Sequence, residues 1–480
     1  MTCSPLRSPI ETRRKELRAF FEEVFMKRRQ FLALAGATAA HTILNPTIGN
    51  ATPLASASKR TPADFSLRIQ QLRLELAPDV HVKTVGYNGQ VPGPLLRLKE
   101  GVPVSIEVAN ETSVPELVHW HGLKIDSIND GAMEEGSPML PPGGKVTYRF
   151  TPRPSGTRWY HTHTSAESDL SRATYTGQYG FLYIESKHGI GGYDQEVFLA
   201  IHHWEPSLMH MGPPMNALDV TYKYASFNDK LLTASEPIRV RRGERVLFRF
   251  LNASATETVE IALPGHTFTV IALDGNLVPQ PRNVDSLVLG VAERIDAIVE
   301  MSTPGVWILG SVDSDERAKG LGRVIEYAGN TGEPVWLESR RKPWNYLDFA
   351  NTSKASDADE EVPMIFAPVA AGSDGFQRWT VNGKSYPETP VLKVKAGKRY
   401  RLDFVNSSGE VHPLHLHRHS FEVVSIAGKQ CSGLIKDVVN IPAYSSLKVD
   451  FIADNPGKTL FHCHQQLHMD YGFMQLIDYA

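Results

Sequence analysis

Cysteine is nearly missing from this chain of 480 residues, which holds only Cys3, Cys431 and Cys463. Three cysteines cannot build a disulfide framework, so packed cores must hold the fold. Long apolar runs are missing too. The apolar stretch near the N-terminus, FLALAGATAA from Phe31, is far shorter than the ~20 residues that span a bilayer. Charge of one sign is equally scarce: 50 Lys and Arg stand against 53 Asp and Glu, a formal net charge of −3. No clustered basic face therefore invites nucleic acid. With 41% hydrophobic and 21% charged residues, neither disorder nor a membrane bundle is indicated.

What the chain does have is histidine in a fixed spacing. His119 and His121 stand in VHWHG, His161 and His163 in WYHTH, His412, His415 and His417 in HPLHLH, and His462, His464 and His468 in FHCHQQLHMDYGF. Ten of the eighteen histidines thus fall in four clusters. Side chains alternate faces along a strand, so a His-x-His pair projects two imidazoles from one face. In the last cluster Cys463 lies between His462 and His464 and must point the opposite way. A thiolate with imidazoles suits a blue-copper electron-transfer site, so one short segment is expected to serve two metal sites.

Length and repeats give the frame. At roughly 150 residues per domain the chain is long enough for about three. One repeated unit reads LRLKEGVPVSIEVANETS from Leu96, IRVRRGERVLFRFLNASA from Ile238 and LKVKAGKRYRLDFVNSSG from Leu392. Alternating apolar residues, a central glycine and an asparagine at the end of the second strand read as a β-hairpin. A second unit, PSGTRWYHTH, TPGVWILGSV and NPGKTLFHCH, closes each third of the chain. His161 follows Gly156 by five residues and His462 follows Gly457 by five, whereas the middle copy has Gly310 at that place. The expectation is an all-β chain of three sandwiches, at residues 63–188, 193–345 and 360–480, with metal ligands only in the outer two. The segment NTSKASDADEE from Asn351 reads as an exposed linker.

The four motifs, in this order, resemble the multicopper oxidases, the family of laccases, bilirubin oxidases, ascorbate oxidase and the bacterial cuprous oxidases. The resemblance runs over essentially the whole chain after residue 60 and implies three cupredoxin-like Greek-key domains with four coppers. It implies that His412, Cys463 and His468 hold the type 1 copper and that His119 and His415 hold the type 2 copper. The two type 3 coppers are then held by His121, His161 and His464 on one ion and by His163, His417 and His462 on the other. It further implies electrons taken singly at the type 1 copper, passed through the Cys463 backbone to His462 and His464, and delivered to dioxygen, giving water.

That reaction consumes four protons, and two carboxylates are candidate donors. Asp130, nine residues after His121, matches an acidic residue of the family, and as an Asp-Gly pair it also reads as a turn former. Asp470 lies two residues after His468, where some laccases carry an acid; many bacterial members carry it one residue earlier, at the place of Met469. Phe473 falls where the family usually places the axial neighbour of the type 1 copper. Phenylalanine cannot ligate, which predicts a nearly trigonal site of raised potential. Met474 next to it is on the other strand face.

A high-potential site favours phenols and aromatic amines, as in laccases. The alternative is a metallo-oxidase acting on cuprous or ferrous ions, whose bacterial members often carry a methionine-rich insertion. Here only His202, His203, Met209, His210, Met211 and Met215 gather, in HHWEPSLMHMGPPM, a segment that reads as packing and that could border the substrate pocket. A two-domain copper nitrite reductase has no need of four His-rich pairs, a plain copper carrier has no need of a cysteine joined to a second cluster, and a non-enzymatic exported scaffold of this fold would lack ligands that are all present here.

The N-terminal segment carries a separate signal. Residues 1–57 hold eight Lys or Arg against four Glu. Within them, Lys27, Arg28 and Arg29 precede Gln30, Phe31 and Leu32 and a modest apolar run, the pattern of a twin-arginine export signal. Ala55, Ser56 and Ala57 give a small-residue cleavage pattern, so the mature chain is expected to begin near Ser58, periplasmic or secreted. Met26, just ahead of KRRQFL, is a second candidate translation start. Removal of Cys3 with this segment and capture of Cys463 by copper would leave Cys431 without a disulfide partner.

Overall fold

The computed structural model describes residues 62–480 apart from 188, 213–216 and 339–340. Cys3, the expected export signal and Met215 lie outside the described residues. Pro62–Ala480 forms one compact unit, and the all-β expectation is borne out: thirty strands arrange in six sheets, with only three short α-helices among the described residues. None of these helices is long and apolar enough to cross a membrane.

The sheets fall into three consecutive pairs along the chain. The first pair is built from strands between Phe65 and Glu185, the second from strands between Gln195 and Tyr327, and the third from strands between Glu360 and Tyr479. Alternation of buried and exposed residues makes each pair a sandwich. In the first, Leu67 and Ile106 from one sheet share a core with Leu96, Trp120 and Leu182 from the other. The second and third pairs share one continuous core that includes Phe248, Phe250, Phe404 and Phe461. A smaller cluster, with Trp159, Phe181, Trp204, Leu251 and Val438, joins all three pairs.

The repeated strand–turn–strand unit corrects the hairpin expectation. Gly93–Lys99 and Val104–Asn110 lie in different sheets, as do Ile238–Val240 and Arg245–Asn252, and Leu392–Val394 and Arg399–Asn406. Each unit is an arch that crosses from one layer of its sandwich to the other. Its first strand pairs in parallel with a late strand of the same sandwich: Leu96 with Leu182, Ile238 with Ile325, Leu392 with Ile477. Alternation shows which side chains face the core, and it is silent on which neighbour takes the backbone hydrogen bonds. The asparagine that ends each unit has one repeated task. The side-chain amides of Asn110, Asn252 and Asn406 each donate to two carbonyls, those of Val114 and Leu140, Glu257 and Leu289, and Glu410 and Pro442.

Candidate metal centre

Four strands and their ends carry the histidines. Val118–His121 pairs with Gly156–Thr162, setting His119 opposite His161. His412–Leu416 pairs with Thr459–Cys463, setting His415 opposite His462 and Leu414 opposite Cys463. The first two strands belong to the first sandwich and the others to the third, so the imidazoles meet between them. His121 and His415, from different sandwiches, stack with centroids 3.8 Å apart, and His119 stacks on His417 at 4.0 Å. All eight histidines of this cluster are buried.

Their grouping follows the ring positions. The rings of His163, His417 and His462 lie 4.9 to 5.3 Å apart, and those of His121, His161 and His464 lie 5.1 to 5.6 Å apart. His119 and His415 lie 5.7 Å apart. Ligand atoms of the trios His119–His121–His161, His163–His417–His462 and His119–His415–His417 fall within 4.8 Å of one another.

The hydrogen bonds select one nitrogen for a metal in six of the eight rings. Nδ1 of His119 donates to the Asp130 carbonyl, that of His161 to the Thr162 carbonyl, that of His415 to the Asp437 carbonyl and that of His462 to the Cys463 carbonyl, all at 2.7 to 2.8 Å. Nδ1 of His417 donates to Asp130 Oδ2 at 2.8 Å. These bonds leave the Nε2 lone pairs facing inward. His121 is reversed, with Nε2 on Asp437 Oδ1 at 3.1 Å and Nδ1 toward His161. Nε2 of His119, His163 and His415 and both nitrogens of His464 are buried without partners. Nε2 of His417 and of His462 face each other at 3.0 Å although neither carries the proton. Two lone pairs so placed repel unless a cation lies against both, so the donor set fits a cluster of copper ions. Burial, reinforced by neighbouring rings, pushes His121, His161, His163, His415 and His462 well below the ordinary histidine range, and His464 down to about 3. Neutral imidazoles are the form that binds metal.

On the other face of the last cluster, Cys463 Sγ lies 3.9 Å from His412 Nδ1 and 3.5 Å from His468 Nδ1, and those two nitrogens are 3.2 Å apart. The outer nitrogens are engaged elsewhere: His412 Nε2 with Ser408 Oγ at 2.8 Å and His468 Nε2 with Glu410 Oε2 at 3.1 Å. Burial pushes the Cys463 thiol up, and metal binding is what would draw off its proton. Phe473 is fully buried, with its ring 5.0 Å from that of His412 and 5.8 Å from that of Trp379. Met474 packs instead with Ala132, Leu460 and Met469.

Residues distant in sequence complete both sites, and no motif announced them. Trp379 lies 4.6 Å from the His412 ring and 4.3 Å from the His468 ring. Glu135 accepts the Leu460 amide at 2.6 Å and reaches within 3.4 Å of His417 Nδ1. Burial and the nearby Asp130 charge push its carboxyl well up. Burial alone would raise Asp130 as well, but His119 and His417 hold it below the usual carboxylate range. The structure therefore sets Asp130 against two cluster histidines. It sets Asp470 elsewhere: Oδ2 accepts the Ala166 and Glu167 amides at 3.0 and 2.8 Å, and Oδ1 accepts Gln466 Nε2 at 2.9 Å. His202 and His203 are buried in the middle sandwich, bonded to the Ala253 carbonyl and Glu316, while Met209 and His210 are exposed.

Comparisons with known proteins agree with this geometry. Family models described as multicopper oxidase match residues 68–189, 158–324 and 360–479. The chain belongs to the multicopper oxidase family. Multicopper oxidase MmcO of Mycobacterium tuberculosis (strain ATCC 25618 / H37Rv) is 28% identical over 448 residues, covering 86% of each chain. Laccase-1 of Botryotinia fuckeliana is 26% identical over 463 residues, 82% of this chain and 78% of its own. The crystal structure of a multi-copper oxidase from Pseudomonas Thermotolerans superposes with a TM-score of 0.68 at 25% identity, over 87% of this chain and 100% of that one. As a multicopper oxidase the protein is a copper-dependent oxidoreductase with cupredoxin-like domains.

Proposed function

We propose that this multicopper oxidase is laccase-like, coupling one-electron oxidation of phenols or aromatic amines to the reduction of dioxygen to water. Copper bound by these residues supplies the one-electron redox chemistry that links the two half-reactions. His412, Cys463 and His468 would hold one ion, His119 and His415 a second, and the trios His121–His161–His464 and His163–His417–His462 two more. The observation that carries the substrate reading is Phe473, whose buried ring stands against His412 where a methionine sulfur would otherwise stabilise the cupric state. At the outer edge, Glu410 beside His468 Nε2 is 30% exposed and offers an acceptor for a phenolic O–H. Asp130 Oδ1, buried and without a partner, is placed to pass a proton to the oxygen site, and the raised Glu135 carboxyl near it is the group on which that proton is held.

Oxygen consumption by the purified protein with 2,6-dimethoxyphenol and with cuprous ion, under one set of conditions, tests the reading. The phenol is expected to give the higher kcat/KM, and a tenfold advantage for cuprous ion would replace this reading with metal detoxification. Export by the twin-arginine route to the periplasm or beyond belongs to the same proposal, supported by KRRQFL at Lys27 and by a cofactor best inserted into a folded chain. Replacing Arg28 and Arg29 with lysine is expected to retain the protein in the cytoplasm, and unchanged cell fractionation would overturn this.

A further inference from the structure

The histidines of the cluster come from the first and third sandwiches, yet of the two arginines that hold Asp437 behind them, Arg158 comes from the first and Arg294 from the middle one. Arg294 opens the strand Arg294–Glu300 and is fully buried. All five of its N–H groups have acceptors. Nε donates to the Thr157 carbonyl at 3.2 Å. Nη1 donates to the Ala292 carbonyl at 3.1 Å and to Asp437 Oδ1 at 2.7 Å, and Nη2 to the Asp274 carbonyl at 3.2 Å and to Asp437 Oδ2 at 2.6 Å. Those acceptors belong to all three sandwiches, so one planar group is fixed from every side.

Asp437 transmits that fixity to the cluster twice. Its Oδ1 accepts from His121 Nε2 at 3.1 Å, and its main-chain carbonyl accepts from His415 Nδ1 at 2.7 Å. The two rings it holds are the stacked pair from opposite sandwiches. The amides of Asp437 and Val438 donate in turn to Asp274 Oδ2 at 3.2 and 3.0 Å, so the middle sandwich also grips the backbone of this turn. Gly122 leaves room for the arrangement. A Cβ there, at φ +80°, would lie 2.6 Å from Asp437 Oδ2 and 2.9 Å from Arg294 Nη2.

We propose that Arg294 is a positioning residue for the oxygen-reducing cluster, acting through Asp437 to set the orientation of His121 and His415; the proposal rests on the copper reading above. A guanidinium bound through both terminal nitrogens fixes direction as well as charge, where lysine offers a point charge on a flexible stem. Groups behind a metal-bound histidine typically matter by 10–100-fold in metal affinity or activity.

The test uses the copper-loaded full-length protein, Arg294→Lys, and Arg249→Lys as the control. Arg249 is a buried arginine of the same interface that donates instead to Glu196, Thr157 and Asp296. Copper content, blue absorption, the EPR spectrum of the non-blue copper, and kcat for oxygen uptake are measured for each. Arg294→Lys is expected to keep the blue absorption, alter the non-blue EPR spectrum and lower kcat roughly 10–100-fold, while Arg249→Lys keeps the parent EPR spectrum. An unchanged spectrum in Arg294→Lys, or the same change in both variants, overturns the proposal and leaves the copper reading intact. If Arg294→Lys does not fold, Asp437→Asn carries the same expectation and the same refutation. A parent protein without non-blue copper overturns both.

Discussion

Phe473 is the residue on which the proposed function leans most, because a side chain with no ligand atom beside the Cys463 site is expected to strengthen that site's pull on electrons. Its backbone carbonyl accepts the Cys463 amide at 3.1 Å and its own amide donates to the His468 carbonyl at 3.0 Å, so the main chain fixes the ring beside both. Trp379 and Phe366 pack around the ring, 5.8 and 5.0 Å from it. Exchange for methionine keeps an apolar side chain of similar volume, so packing should tolerate it. Phe473→Met is therefore expected to fold, to keep its blue band and to show a lower reduction potential in a spectroscopic redox titration. An unchanged potential and spectrum would show that this side chain does not face the copper.

At the scale of elements, the short helix Gln466–Asp470 illustrates how position changes the meaning of a residue. Sequence spacing made Asp470 a candidate proton donor, in the same sense as Asp130. In the structure its two oxygens are taken by three donors, two of them main-chain amides of Ala166 and Glu167 in the first sandwich. Burial pushes its carboxyl up to about 6 against the opposing pull of those donors. Such a group ties two sandwiches beside the Cys463 site. Asp470→Asn is accordingly expected to lower stability by about 1–3 kcal/mol with kcat for oxygen uptake within about twofold of the parent. A large loss of kcat at unchanged melting temperature would instead support the proton-donor role. The arches carry a similar lesson. Their alternating residues show which way each side chain faces, but Leu96 finds its partner at Leu182, and no local pattern in the first strand names the second.

Over the whole molecule, the cluster acts as a fastener between sandwiches that bury eight imidazoles at their junction. Copper binds the assembled ligands and not the unfolded chain in this arrangement, so its removal is expected to lower the melting temperature and its return to restore it. Without copper, acid adds to the loss. Burial holds His464 and His202 down to about 3, and His417 down to about 4, below the ordinary 6.5. Between those limits the unfolded chain binds more protons than the folded one, so stability is fully present above about pH 6.5 and falls as pH drops toward 3. Calorimetry of copper-free protein across that range checks the sign, and a melting temperature that rose on acidification would contradict it.

By itself the sequence determined the all-β class, the threefold repeat and the ligand residue types, because strand alternation and His-x-His spacing are local and survive in the linear chain. It also determined that Cys463 and its flanking histidines face opposite ways, since that follows from strand geometry alone. Only the tertiary structure decided what stands behind the ligands: Asp437, Arg294, Glu135 and Trp379 come from four separate segments and meet the histidines through contacts between sandwiches. Such contacts leave no period in the sequence. They arise when sheets of different sandwiches bury their faces together, and the polar groups caught at that junction must find partners there.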